Sequence, residues 1–262
     1  MGPGLLSSSN GFEDSRQANE RQSPATERCA LEIADKYRGE DYLSENPTWH
    51  EDDAPWKVSH ISDILVRNGI SPASIADVGC GTGAIVDLLS KRYPEASVKG
   101  FEISPHAYEM CMKRQSVNLA FSMSDPFQSG ETFDLCMAID VVEHVENPFS
   151  FLRSMRTMGK WHVLHFPLDM NALAVGRGWV LPEARRTLGH IHYFSRDSAL
   201  ALLTECGFEV ADSFYTAWAI DQSYKTMKKR LAAWPRRIAY TIAPDATVRL
   251  VGGWSLMVLA RA

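Results

Sequence analysis

A chain of 262 residues that is 45% hydrophobic and 23% charged can fill one sizeable core, which excludes a wholly disordered protein. Its net charge of −5 argues against a general nucleic-acid binder. Its five cysteines (Cys29, Cys80, Cys111, Cys136, Cys206), odd in number and without a C-x-x-C pair, read as reduced thiols of a cytoplasmic protein rather than a disulfide framework.

Residues 1–28 are rich in Ser, Gly, Asn, Gln and charge and are expected to be a disordered tail. They show neither the charged-then-apolar layout of a secretory signal nor a myristoylation motif, since Leu6 stands where Ser or Thr is required. No apolar run approaches ~18 residues, so no membrane span is predicted. Residues 29–57 form an N-terminal cap, with a short helix over Cys29–Tyr42 and an aromatic, acidic loop from Asn46 to Trp56. From residue 58 to 262 the pattern is that of one domain. A helical period runs from Val58 to Asn68 and stops at Gly69.

Ile75–Val78 is then an apolar strand that breaks into Gly79-Cys80-Gly81-Thr82-Gly83 before a helix opens at Ala84. Glycines at alternate positions allow a tight turn and let a ligand lie directly against the backbone. A dinucleotide fingerprint needs its third glycine three residues after the second; here Gly83 follows Gly81 by two, with Asp77 just before the first. Strand and helix keep alternating. Strands are predicted over Ser97–Glu102, Asn118–Met123, Thr132–Ile139 and Trp161–Phe166, with helices over Pro105–Arg114 (N-cap Ser104) and Pro148–Met158. Ser195 caps a helix that runs through Cys206 to Gly207, and strands over Phe208–Trp218 and Trp254–Ala260 close the domain. The result is an α/β doubly wound, Rossmann-like sheet, mostly parallel with one antiparallel closing strand, and N- and C-terminal helical cap insertions. Leu168–Thr187 is expected to be a lid over the acceptor. Tyr224–Arg249, basic and carrying Trp234 and Ile238, is a helical insertion, read either as a solvated face or as a shelf for an anionic acceptor.

The Asp77–Gly83 loop resembles motif I of the class I S-adenosyl-L-methionine (SAM)-dependent methyltransferases. That resemblance implies that Asp77, Gly79, Cys80, Gly81 and Gly83 seat the methionyl end of SAM. Glu102, with Ile103, ends the second strand where a doubly wound fold holds ribose hydroxyls. Ser124 and Asp125 stand where the family places an adenine contact, and Asp140 ends the fourth strand at the cleft floor. Asp140-Val141-Val142-Glu143-His144 resembles the E-x-x-E-H motif of metal-dependent O-methyltransferases, with Asp140 replacing the first glutamate. This implies that Asp140, Glu143, His144 and a further histidine, His190, hold Mg or Mn. Without a metal, the base is a histidine such as His144, His165 or His190, with His192 a further candidate. His162 and His165, three apart on one strand, face opposite sides and form no joint site.

The expected activity is methyl transfer from SAM to a small polar acceptor, a hydroxyl of a saccharide or secondary metabolite, anionic or sugar-linked. The partial metal motif keeps an RNA 3′-terminal 2′-O-methyltransferase as an alternative, which the acidic charge opposes. A non-catalytic SAM-binding protein is the alternative outside enzymes. Neither the acceptor nor the oligomeric state is fixed by these features.

Overall fold

The computed structural model describes Met1, residues 51–217, Asp221 and residues 227–262. The expected tail, the helix over Cys29–Tyr42 and the cap up to residue 50 lie outside the described residues, as do Cys29, Tyr224 and Lys225.

After a 3₁₀ turn over Glu51–Asp53, helix α1 (Ala54–Arg67) begins four residues earlier than the sequence pattern places it. Pro55 sits in its first turn, where a missing N–H costs nothing, so the second half of the expected loop is helix. The order then runs β1 (Ser74–Val78), α2 (Ala84–Arg92), β2 (Ser97–Phe101), α3 (Pro105–Met112), β3 (Leu119–Ser122), β4 (Phe133–Ile139), α4 (Pro148–Arg156) and β5 (Gly159–Pro167). Two short helices follow, α5 (Ala172–Arg177) and α6 (Val180–Thr187), then α7 (Arg196–Glu205), β6 (Glu209–Thr216), α8 (Met227–Ile242), α9 (Pro244–Val251) and β7 (Ser255–Arg261). The expected lid is therefore α5 and α6, and the described part of the basic insertion is α8 and α9.

The seven strands form one sheet in the order β3-β2-β1-β4-β5-β7-β6, parallel except for β7, which runs antiparallel to both neighbours. This is the Rossmann-like sheet with an antiparallel closing strand that the sequence predicts. The central strand β4 alternates between two cores: Leu135, Met137 and Ile139 pack under α1 and α2, whereas Cys136 and Ala138 pack under α4 and α7. The central strands are covered on both faces, which is why they read as nearly continuous apolar runs. On the first face α1 buries Ile61, Ile64 and Leu65 against Val86 and Leu89 of α2. The start of α1 is thereby held beside the carboxyl ends of β1 and β4. Ser195 closes a capping box with Ser198 at the head of α7. Cys80, Cys111, Cys136 and Cys206 are buried free thiols. Among the described residues no helix is long and apolar enough to cross a membrane.

Candidate active site

The break between β1 and α2 is made by three residues that only glycine accommodates well. Gly79, Gly81 and Gly83 have φ of 78°, 57° and 78°. A Cβ on Gly79 would stand 2.8 Å from Val141, and one on Gly83 would stand 2.7 Å from Phe121. At Gly81 a Cβ would meet nothing within 4 Å. Gly79 and Gly83 are thus glycine because protein packs on them, and Gly81 faces open space. Cys111 Sγ donates to the Gly81 carbonyl at 3.0 Å and steadies the loop from below.

That open space is a cavity of about 610 Å³ at the carboxyl ends of the parallel strands. Its walls include Asp77, Gly79, Cys80 and Gly81, then Glu102 and Ile103 from the end of β2 and Asp140, Glu143 and His144 after β4. His165, His190, Asp53 from the 3₁₀ turn and, from α1, Trp56 and Lys57 also line it. Glu102 is 6% exposed; its Oε2 accepts from the Gly81 N–H and its Oε1 from the Ser104 N–H, both at 2.8 Å. Burial raises its pKa, and these two N–H donors oppose the rise. The carboxylate therefore ties the glycine loop to the head of α3, and each oxygen keeps a second lone pair.

Asp77 is buried, and among the described residues its Oδ1 has no hydrogen-bond partner. Burial, with the charge of Glu102 adding to it, pushes its pKa up to about 7, while Lys57 acts in the other direction. Asp140 is the opposite case. Its φ of 56° places a non-glycine residue in the left-handed region. The strain is held by partners on both carboxylate oxygens: Oδ1 accepts from His165 Nδ1 at 2.6 Å and Oδ2 from Lys57 Nζ at 2.8 Å. Burial alone would raise the Asp140 pKa, but the His165 and Lys57 interactions hold it well below the usual carboxylate range. Burial likewise works to lower the Lys57 pKa, yet Asp140 and Asp53, the latter 3.0 Å away, raise it. His165 Nε2 meets Thr216 Oγ1 at 2.8 Å. Both ring nitrogens of His165 are thus engaged within the protein, so it holds Asp140 in place and presents no base to an acceptor.

Glu143 is 0% exposed, and among the described residues neither carboxylate oxygen has a hydrogen-bond partner. Burial raises its pKa well above the ordinary value, and the charge of Asp140 adds to this. Oxygen and nitrogen atoms of Glu143, His144 and His190 lie within 4.8 Å of one another. His190 Nδ1 donates to Asp169 Oδ2 at 2.6 Å, and His144 Nδ1 to the Gly189 carbonyl at 3.2 Å. These acceptors can only accept, so in both neutral rings the Nε2 atoms carry the lone pairs. A buried carboxylate beside two imidazoles whose far nitrogens are fixed by oxygen acceptors is a donor set that fits a divalent cation.

The structure thus gathers three of the four expected metal ligands, and Asp140 is held by Lys57 and His165 instead. Ser124 and Asp125 do not reach the cavity. Asp125 accepts from the Phe127 N–H and from Gln128 Nε2, capping a 3₁₀ turn, and Ser124 pairs with Ser122. Gly83 shapes the turn without lining the cavity. His192 donates to the Val145 carbonyl, and His162 packs on Phe208 on the opposite face from His165. Sequence reasoning missed Lys57, Thr216 and Asp169; the one local signal was the four-residue spacing of Asp53 and Lys57.

The sheet order, the alternate-glycine loop and the buried acid at the end of β2 define a class I SAM-dependent methyltransferase. Residues 50–213 match the family model described as a methyltransferase domain, and the chain belongs to that family. The mitochondrial ubiquinone biosynthesis O-methyltransferase of Schizosaccharomyces pombe is 32% identical over 97 residues, covering 34% of this chain and 35% of that protein. The norajmaline N-methyltransferase of Rauvolfia serpentina is 31% identical over 93 residues, covering 32% of this chain and 31% of its own length. The chain therefore spans about a third of these curated relatives. Magnesium protoporphyrin IX methyltransferase from Synechocystis, solved with bound SAH, shares the fold with a TM-score of 0.53 at 15% identity, over 89% of this chain and 94% of that one.

Proposed function

We propose that this methyltransferase acts on a hydroxyl of a small polar acceptor and that Glu143, His144 and His190 hold a divalent cation beside that hydroxyl. The observation that carries this reading is Glu143, a fully buried carboxylate with no hydrogen-bond partner for either oxygen among the described residues and two imidazoles beside it, His144 Nε2 standing 3.8 Å from Oε1. An unpaired buried carboxylate is costly, and a cation would satisfy it.

SAM supplies the electrophilic methyl group. The Gly79–Gly81 backbone would receive its methionyl end where Gly81 leaves the wall open, and the spare lone pairs of Glu102 would accept from the ribose hydroxyls. Asp140, fixed by Lys57 and His165, sets the floor on which acceptor and sulfonium are aligned. Glu143, His144 and His190 would hold the cation, which would supply a lowered pKa at the acceptor hydroxyl. Two imidazoles and one carboxylate suit Mn better than Mg. His190 stays oriented by Asp169, and His144 by the Gly189 carbonyl.

The acidic walls disfavour the anionic acceptor suggested by the basic insertion, whose described residues do not line the cavity. The same acidity supports a second reading, N-methylation of an amine, in which Glu143 pairs with the acceptor's charge. An RNA acceptor gains nothing from so acidic a cavity.

Transfer of radiolabelled methyl from SAM to pools of sugars, phenols, amines and short RNA, with and without chelator, tests these readings. Label in a hydroxyl pool that chelator abolishes and Mn restores supports the proposal. Chelator-insensitive label in the amine pool supports the second reading. Tight SAM binding with no transfer to any pool favours the non-catalytic reading.

A further inference from the structure

Helix α8 differs in composition from the rest of the molecule. Its sixteen residues hold Lys228, Lys229, Arg230, Arg236 and Arg237 and no acid, in a chain of net charge −5. Trp234, Ile238 and Ile242 recur at intervals of four and therefore share one helical face. They are 60%, 49% and 78% exposed. Tyr240, on the other side of the helix, stacks on Trp254 with ring centroids 5.2 Å apart and meets Tyr215 edge-on. Those contacts anchor α8 to the sheet and turn the Trp234–Ile242 stripe outward. α9 packs against both α8 and α5, where Leu250 and Val175 are each 58% exposed.

We propose that the Trp234–Ile238–Ile242 face of α8 binds the surface of a bilayer containing anionic phospholipid. Single exposed apolar side chains are ordinary, whereas a row of three on one face of a helix that holds basic residues and no acid is a contact surface. A basic helix with Trp and Ile on one face settles at the boundary of headgroups and acyl chains. Charge complementarity selects the occupant. An anionic leaflet attracts α8 and repels the acidic remainder of the chain, so the protein meets it with this face first. A second copy docked here would set one helix with basic residues and no acid against another, which disfavours a self-complementary dimer. This surface is independent of which acceptor is methylated.

The test is co-sedimentation of the full chain with vesicles of phosphatidylcholine alone or mixed with phosphatidylglycerol. Pelleting with the mixed vesicles, at least about tenfold weaker with neutral ones and reduced by added salt, is expected. The double variant Ile238→Glu/Ile242→Glu should lose that binding while its circular dichroism and thermal midpoint stay unchanged. If it unfolds, Ile242→Ser, at the most exposed position of the stripe, should still weaken binding severalfold. No pelleting with anionic vesicles, equal pelleting with neutral ones, or full retention by the variants would overturn the proposal. So would a dimer, seen by light scattering, that the double variant dissolves.

Discussion

Lys57 Nζ lies 2.8 Å from Asp140 Oδ2, joining a helix outside the sheet to the end of its central strand. The lysine side chain is 10% exposed and the aspartate 28%, so neither charge is well solvated. Lys57→Met would leave Asp53 and Asp140 without their counter-charge and should destabilise the protein by about 3 kcal/mol. Adding Asp140→Asn should recover part of that loss. Denaturant unfolding of the two single variants and the double variant measures both effects; additive losses would show that the pair is not coupled. Because the Asp140 pKa is depressed in the folded state, its contribution is present above the ordinary carboxylate range and is lost on acidification through the folded value.

Asp77 has the opposite sign. Its pKa is raised from 3.8 to about 7, so the folded chain holds a proton there that the unfolded chain releases. Its contribution is fully present below pH 3.8 and is lost as pH rises through about 7, amounting to up to about 4 kcal/mol. The protein without SAM should therefore lose stability between pH 3.8 and about 7, and Asp77→Asn should flatten that slope. Thermal midpoints across this range decide it. An equal slope in parent and variant would assign the loss to other groups.

Gly81 and Gly83 should respond differently to alanine. Both substitutions pay for a left-handed backbone, about 1 kcal/mol. Gly83→Ala also drives a methyl group against Phe121 and should cost a further ~1–3 kcal/mol. Gly81→Ala points its methyl into open space, so it should stay folded and lose SAM binding instead. Calorimetric titration with SAM beside thermal unfolding separates the two outcomes.

Glu102→Ala removes the acceptors of the Gly81 and Ser104 N–H groups together with those expected for ribose. A loss of ~1.5–3 kcal/mol, or roughly 10- to 100-fold in SAM affinity, is expected from titration. Parent-like affinity would remove Glu102 from the binding site.

Asp169 fixes the ring of His190 at 2.6 Å. If Glu143, His144 and His190 hold a cation, Asp169→Asn should weaken Mn binding by about 10- to 100-fold while leaving SAM affinity unchanged. Titration with Mn, followed by electron paramagnetic resonance, reads this directly. Parent protein that binds no Mn would falsify the metal reading.

The features legible in the sequence are the local ones. The strand-turn-helix at Asp77–Ala84 could be read because glycine is the residue that turns there without a Cβ. The alternation of strands and helices could be read because a parallel sheet covered on both faces leaves apolar runs. Glu102 followed from its place at a strand end. Three-dimensional packing decided the rest. His165 reads as a base on its strand, but Asp140 and Thr216, 25 and 51 residues away, take both of its nitrogens. Asp140 reads as a metal ligand from its spacing to Glu143, yet its left-handed backbone and the incoming Lys57 turn it to another task. Asp125 reads as a cofactor contact from its position, but the 3₁₀ turn beginning at Pro126 offers it a nearer N–H. The sequence determined which strands and turns form, because propensity and period act over a few residues. Which charges meet in the cavity was decided by the tertiary structure, because burial and pairing depend on elements that only the closed sheet brings together.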